Sequence, residues 1–416
     1  MDARAGTMLH GWIRGMRQEG AMSTLRQTRE IVWMNLQSIP QRWGASLVIV
    51  VGIAGVVAVL VAMLSMSAGL TRTLGSTGTA DRAIVLRAGS NAELSSFLDR
   101  ALVTLIKQDP AIRRGRDGLP LASGELIVIT EVARRGESGS TNVTLRGVEP
   151  NAFELRPEVE IVEGRRFRPG LQEILVGAAA REQFEGLEVG RQLTFKGSGW
   201  TIVGIFRSNG DGHESELWAD TEAVQGAFGR SGYSSVLAQL RSAADFPAFE
   251  ARLKNDPQLT VDVEREIDFF TAQSETLTFL IRLLTNVITA IMAFGALFGA
   301  LNTMYSAVSA RTREIGTLRA LGFGRLPVIA SVMAESLLLA VVGGLVGAVL
   351  AYLLFNGTSV STLSPGSFSQ VAFNFAVTPA LVAQGLAWAL LIGFVGGLLP
   401  ALRAARIPVT DALRAT

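Results

Sequence analysis

The 416-residue sequence contains no cysteine. Disulfides, zinc–thiolate sites and thiol nucleophiles are therefore excluded. Histidine is almost as scarce, with only His10 and His213, so a histidine-based metal cluster or a Ser-His-Asp triad is not expected. No G-x-x-x-x-G-K-[ST] segment occurs among these residues, so they supply no loop that could cradle ATP phosphates. Charge itself is missing from three long stretches: between Arg42 and Arg72, between Arg282 and Arg311, and from Ser336 to Leu402. What replaces it is apolar. Hydrophobic residues make up 49% and charged residues 18%, with a mean hydropathy of +0.35, which is more than a water-soluble protein usually carries.

A spanning helix needs about 20 apolar residues to cross about 30 Å of hydrocarbon. The first stretch, centred on Leu47 to Leu64, supplies one helix, and the Ile-, Leu-, Ala- and Phe-rich second stretch supplies another. The third is too long for one helix, and its middle, Asn356 to Thr378, is full of Ser, Gly, Thr and Pro. It reads as a helical hairpin. The first stretch follows 42 polar residues and is too long for a signal h-region, so it reads as a retained anchor.

Orientation follows from the basic residues of the short segments. Residues 1–42 carry six Arg against three acids, 306–326 four Arg against one Glu, and 403–416 three Arg against one Asp. Four crossings put all three basic segments on one side, so both termini are expected in the cytoplasm of a bacterial inner-membrane protein. The region 71–281 holds 24 basic and 30 acidic residues; a segment that long is exempt from the rule, and it is expected on the periplasmic side.

The expected fold is an α-helical membrane protein with four transmembrane helices and an α+β extracytoplasmic domain inserted between helices one and two. The segments are a cytoplasmic N-terminal piece at 1–43, helix one at 44–70 and the inserted domain at 71–263. A stalk plus helix two covers 264–310, a cytoplasmic helix 311–325, helix three 326–355, a short loop 356–378, helix four 379–402 and a tail 403–416. In the N-terminal piece, Leu25, Val32, Leu36 and Ile39 mark an amphipathic helix, with Trp33 and Trp43 as interfacial anchors.

Strand patterns in the inserted domain fall at Ile84–Arg87, Leu126–Thr130, Asn142–Val148, Glu173–Gly177, Gln192–Lys196 and Trp200–Phe206. Between the first two, Leu94, Phe97, Leu98, Ala101, Leu102 and Leu105 share one face of a helix. The loop Ser208–Glu216, with Asp211, His213, Glu214 and Glu216, matches no calcium loop and reads as a solvated turn. From Glu264 to Ala310 only Gly295 and Gly299 interrupt the helix formers, and a helix of that length spans roughly 70 Å. Gly343 with Gly347, and Gly393 with Gly397, are small-xxx-small pairs that let membrane helices approach closely. Glu335 is an acid near the start of helix three, expected to partner an Arg.

The stretch Ser309-Ala-Arg-Thr-Arg-Glu-Ile-Gly-Thr-Leu-Arg-Ala-Leu-Gly322 resembles the signature loop of the MacB/FtsX-type (type VII) permeases of ABC transporters, a group that includes the lipoprotein-releasing LolC/LolE-like permeases. Arg311, Arg313, Glu314, Gly316, Leu318, Arg319, Leu321 and Gly322 match it. The resemblance implies a coupling helix that docks on a separate ATPase. Independently, Ile315, Leu318 and Leu321 form one apolar ridge at helical spacing, framed by Arg313, Glu314 and Arg319.

The tail from Pro400 through Arg403, Ala404 and Arg406 to Leu413 and Arg414 is similar to the family's closing motif, with Pro408 one residue early. Glu173–Gly177, Gly186–Gly190 and Trp200–Phe206 resemble its strand–helix–strand core. The resemblance runs from about residue 24 onward; residues 1–21 read as an extension, with Met22 an alternative start.

The resemblance implies a non-catalytic permease with no cofactor of its own, ATP and Mg being bound by the partner ATPase. The expected partners are two ATPase copies, a second permease chain (identical or paralogous), a periplasmic adaptor and membrane lipid, with no nucleic acid. Export or release of a substrate on the periplasmic side is the expected function. The competing readings are an FtsX-like signalling subunit that regulates a cell-wall hydrolase, and a membrane-bound enzyme or sensor. The shortage of His, Cys and clustered acids argues against the last.

Overall fold

The computed structural model describes residues 27–35, 37, 43–136, 139–363, 369–408 and 410. The N-terminal extension, Leu25, Leu36 and Ile39 of the amphipathic pattern, and Leu413 and Arg414 of the closing motif lie outside the described residues. The chain divides into two compact units: one from 1–65, 282–356 and 377–416, the other from 66–281 and 357–376.

Among the described residues, four helices are long and apolar enough to cross a membrane. Helix one is Trp43–Gly75, helix two Glu266–Ala310, helix three Arg325–Phe355 and helix four Pro379–Arg406. Helix four is set at its start by Thr378, whose side chain accepts from the Leu381 N–H, and by Pro379 in the first turn. The sequence pattern ends this helix at residue 402, but it runs on to Arg406. Pro400 inside it removes one backbone donor, and the apolar faces of Ala401, Ala404 and Ala405, all buried, carry the helix past that defect.

Close approach organises the helical unit. A Cβ on Gly343 would fall 2.9 Å from the Val50 carbonyl, and one on Gly347 2.4 Å from the Ala54 carbonyl, so helix three lies directly on helix one. A Cβ on Gly393 would fall 2.4 Å from Ala340 Cβ, and one on Gly397 2.6 Å from Ser336 Cβ, so helix four packs on helix three, while a Cβ on Gly385 would fall 2.9 Å from Val57 of helix one. Ser336 Oγ donates to the Gly393 carbonyl at 2.6 Å across that seam. With no hydrophobic drive between helices in lipid, backbone proximity and packing of this kind are what hold them. Gly295 and Gly299 on helix two face open space, with nothing within 4 Å of where a Cβ would sit.

Among the described residues, the main sheet of the inserted unit has ten strands: β1 (Arg82–Arg87), β2 (Ala122–Ala133), β3 (Ser140–Val148), β4 (Glu160–Gly164), β5 (Glu173–Gly177), β6 (Gln192–Phe195), β7 (Ser198–Arg207), β8 (Leu217–Asp220), β9 (Ser235–Gln239) and β10 (Val261–Arg265). Their order is β10-β1-β9-β2-β3-β8-β5-β7-β4, with β6 paired to β7. β3–β8 and β5–β7 are parallel, and the remaining pairs antiparallel. Trp200, Phe184 and Ile202 anchor one apolar core, and Phe249, Ile106 and Val85 another.

The inserted unit departs from the sequence pattern in three places. The helix expected through Leu94–Leu105 is a 3-10 turn at Glu93–Ser95 followed by a helix only at Arg100–Lys107. Leu98 exchanges both backbone hydrogen bonds with Tyr233 at 2.8 Å, and Asp99 then caps the helix by accepting from the Leu102 N–H. That late start rotates the inward face to Val103 and Ile106, leaving Leu94, Phe97 and Leu105 exposed. The 208–216 segment is no solvated turn: Asp211, His213 and Glu216 are buried. The loop at 356–378 contains a hairpin, β11 (Ser359–Leu363) and β12 (Gln370–Asn374). Its strands are stabilised by non-local packing of Val371 and Phe373 against Leu70, Leu74 and Ile281, which no local pattern announces.

Candidate functional site

The motif at 309–322 folds as a short helix, Thr312–Ala320. Gly322 ends it in the left-handed region, at φ +93°. The Phe323 N–H reaches back to the Leu318 carbonyl at 3.2 Å, and the Gly322 N–H to the Arg319 carbonyl at 3.1 Å. This is the Schellman pattern, in which glycine carries the positive φ without a Cβ penalty. The motif's last glycine is thus a helix stop that turns the chain into helix three.

Both ends of the helix are fastened. Before its start, Arg311 is 6% exposed, and its Nη2 donates to Glu335 Oε2 at 2.6 Å. The same oxygen accepts from Asn35 Nδ2 at 2.9 Å, and Asn35 Nδ2 also donates to the Ser331 carbonyl at 3.2 Å. One carboxylate oxygen thereby joins the 27–35 helix, the short helix and helix three. Near the other end, Arg319 Nη1 donates to the carbonyl of Ile407, the residue that follows helix four.

These contacts divide the matching residues into two sets. Arg311 and Arg319 are spent on neighbouring helices. Ile315 is buried in the helical core and Gly316 is also buried. Arg313 and Glu314 are exposed, and Leu321 is 73% exposed. The expected single ridge therefore splits: Ile315 points inward, Leu318 is half-buried, and only Leu321 stands clear. A helix with 100° between residues cannot keep i and i+6 on one narrow face once i is committed to the core. Beside it, a groove of about 470 Å³ is lined by Ile31, Met34, Arg311, Leu318, Val328 and Val332.

The packing glycines Gly343, Gly347, Gly393 and Gly397 lie at the helix seams described above. Asn35 and the Ile407 carbonyl were missed from the sequence. The only available signal was Asn35 lying four residues after Ile31, on the buried face of an otherwise apolar pattern.

A second cluster, also missed, is buried in the inserted unit. Arg146, in β3, donates to Glu93, Glu125 and Glu216 at 2.8–2.9 Å. Burial would raise the Glu125 carboxyl, but the Arg156 and Arg146 guanidinia outweigh it and hold the group below the ordinary range. The same competition, won by Arg146 and His213, pulls Glu216 far down. Among the described residues no group of three or more His, Cys, Asp or Glu could hold a metal ion.

Two family models match the chain, the MacB-like periplasmic core domain over residues 46–256 and the FtsX-like permease C-terminal over residues 286–409. The chain is 29% identical over 205 residues to the uncharacterized ABC transporter permease YknZ of Bacillus subtilis, covering 48% of this chain and 49% of that one. It is 27% identical over 398 residues to the macrolide export ATP-binding/permease protein MacB of Bdellovibrio bacteriovorus, covering 88% of this chain and 58% of that one. The chain thus spans about half the length of the curated relatives it matches. Among solved structures, the periplasmic region of MacB from Actinobacillus actinomycetemcomitans aligns at a TM-score of 0.36 and 11% identity, over 48% of this chain and 95% of that one. The extracellular domain of YknZ aligns at 0.34 and 16%, over 44% and 100%.

Proposed function

Because the chain belongs to the MacB/FtsX-type family of ABC permeases, we propose that it is a non-catalytic mechanotransmission subunit of the bacterial inner membrane. On this reading a partner ATPase binds ATP and Mg, both termini are cytoplasmic and the inserted domain is periplasmic. Closure of two ATPase copies moves two permease chains, and the inserted domains drive export or release of a substrate.

The observation that carries this reading is the short helix Thr312–Ala320, tied at one end to Glu335 and at the other to Ile407. A helix held to helix three and to the end of helix four cannot be displaced alone. A force applied to its exposed Arg313, Glu314 and Leu321 passes into the membrane helices. A merely basic connector would need neither tie.

The test is pull-down of a candidate partner ATPase, using Glu314→Arg and Leu321→Asp. Both sites are exposed, so folding should survive while ATPase binding falls by at least tenfold. Wild-type binding by both variants would refute the docking role. Co-purification of a peptidoglycan hydrolase in place of a periplasmic adaptor would turn the reading from export to signalling.

A further inference from the structure

Three stretches of chain lead into the inserted unit: the end of helix one, the start of helix two, and the β11–β12 hairpin that joins helices three and four. All three end on one buried polar chain. Glu266, the first residue of helix two, is fully buried and lies 2.5 Å from Arg82 Nε and 3.6 Å from Arg156 Nη2. Arg156 donates to both oxygens of Glu125, at 2.6 and 3.1 Å. Glu125 Oε2 accepts from Arg146 Nη1 at 2.8 Å, and Arg146 grips Glu216 through Nε and Nη2.

Glu216 closes the turn that receives the other two stretches. Its Oε2 accepts from Trp218 Nε1 at 2.8 Å and lies 3.1 Å from His213 Nδ1. Within the turn, the Gly212 N–H donates to Thr77 Oγ1 at 2.9 Å, just past the end of helix one. Ser215 Oγ accepts from the Ala372 N–H of β12 at 2.9 Å. The hairpin is held further by Thr144 and Ser369, whose hydroxyls lie 2.6 Å apart. At its far end the Asn374 carbonyl sits so close to helix one that a Cβ on Gly69 would fall 2.1 Å from it.

Buried ion pairs are a poor way to stabilise a domain, since apolar packing of equal volume often does as well or better. Their distinct property is directional. Bidentate guanidinium–carboxylate contacts add geometric specificity as well as energy; in this run Arg156–Glu125 and Arg146–Glu216 are bidentate, Arg146–Glu125 is a single hydrogen bond, and Glu266 joins Arg156 as an ion pair at 3.6 Å. A connected run of buried charge contacts of this kind links the elements at its ends. We infer that this run, from Glu266 through Arg156, Glu125 and Arg146 to the turn Asp211–Glu216, is a mechanical tie that makes the three entry stretches one body. Displacement of the hairpin by helices three and four would then reach the start of helix two directly. The purpose assigned to the tie rests on the transmission reading above; its existence does not.

The test is hydrogen exchange by mass spectrometry on the full chain in lipid nanodiscs. Ser215→Ala removes one hydroxyl and should lower protection about tenfold in β11 and β12. By the tie, protection should fall comparably in β1 and in residues 266–272, at the opposite end of the run. Glu266→Gln should loosen the hairpin in return, and Thr77→Val provides a milder perturbation from the helix-one side. Changes confined to residues 211–216 and the hairpin in Ser215→Ala, with an unaltered hairpin in Thr77→Val, would overturn the tie. Repeating the exchange with the partner ATPase and nucleotide separates the two claims. Spread of the Ser215→Ala effect without any response to nucleotide supports the tie and refutes the transmission reading. A nucleotide response that spreads equally in wild type and Ser215→Ala refutes the tie alone.

Discussion

Arg311 and Glu335 stand 24 residues apart and meet at 2.6 Å, both with side chains less than a tenth exposed. Removing one partner of a buried pair leaves the other charge unmet, at a cost of about 3–5 kcal/mol. Glu335→Ala should therefore lower the thermal midpoint in detergent sharply, and Glu335→Gln less so, because the amide oxygen still accepts from Arg311. The double variant Arg311→Met/Glu335→Leu should regain much of the stability while losing nucleotide-driven movement of the inserted domain, read by a spin-label pair. Full movement in the double variant would show that the pair is structural only.

Two glycines in membrane helices should answer differently to the same substitution. An alanine at Gly347 would press on the backbone of Ala54 at 2.4 Å, and overpacking of this kind costs about 1–3 kcal/mol. At Gly295 nothing lies within 4 Å, and alanine is the better helix former by about 1 kcal/mol. Circular-dichroism melts of purified protein should show a drop for Gly347→Ala and none for Gly295→Ala. Equal melts would mean helices one and three are not in this register.

Asp211 sets a pH dependence in the inserted unit. Burial raises its carboxyl from 3.8 to about 6, against a partial opposing effect of His213. A folded value above the unfolded one means the native state holds the proton more tightly. The stability this contributes is complete below about 3.8 and is lost as pH rises through about 6. Asp211→Asn cannot titrate and keeps an acceptor for the His213 N–H. Its stability relative to wild type should rise by up to about 3 kcal/mol between pH 4 and pH 7, measured by denaturant unfolding. A flat difference across that range would place the ionised carboxylate in a solvated site.

Helix two offers the test of stiffness. Ala272 lies early in the 45-residue helix, on its exposed side. Proline there removes a backbone hydrogen bond and clashes with the preceding turn, about 3 kcal/mol locally, while Ala272→Leu changes only an exposed side chain. Reconstituted with the partner ATPase, the proline variant should hydrolyse ATP but fail to move the inserted domain, and the leucine variant should match wild type. Undiminished movement in the proline variant would make the helix a passive tether.

The four membrane helices and the inserted α+β domain were legible from residue type alone, because a bilayer demands about 20 apolar residues per crossing and leaves long charge-free stretches in the chain. The strand cores at Glu173–Gly177 and Trp200–Phe206 were legible for a similar reason, being runs whose own composition favours extended backbone. The short cytoplasmic helix was expected over 311–325; it spans Thr312–Ala320, cut short by Gly322 at positive φ. What the chain order could not convey is who meets whom. Arg311 and Arg319 look identical in the motif to the exposed Arg313, and only the positions of Glu335 and Ile407 turn them inward. Arg146 sits inside a strand pattern and Glu125 just before one, both as ordinary charges; their burial depends on Glu93, Glu216 and Arg156 arriving from elsewhere in the chain. The β11–β12 hairpin forms on a surface built in part by Leu70 and Leu74, from the far end of the chain. Local propensity and hydropathy act over a few residues and are written in the sequence, whereas the satisfaction of a buried charge or an edge strand is a property of the packed chain.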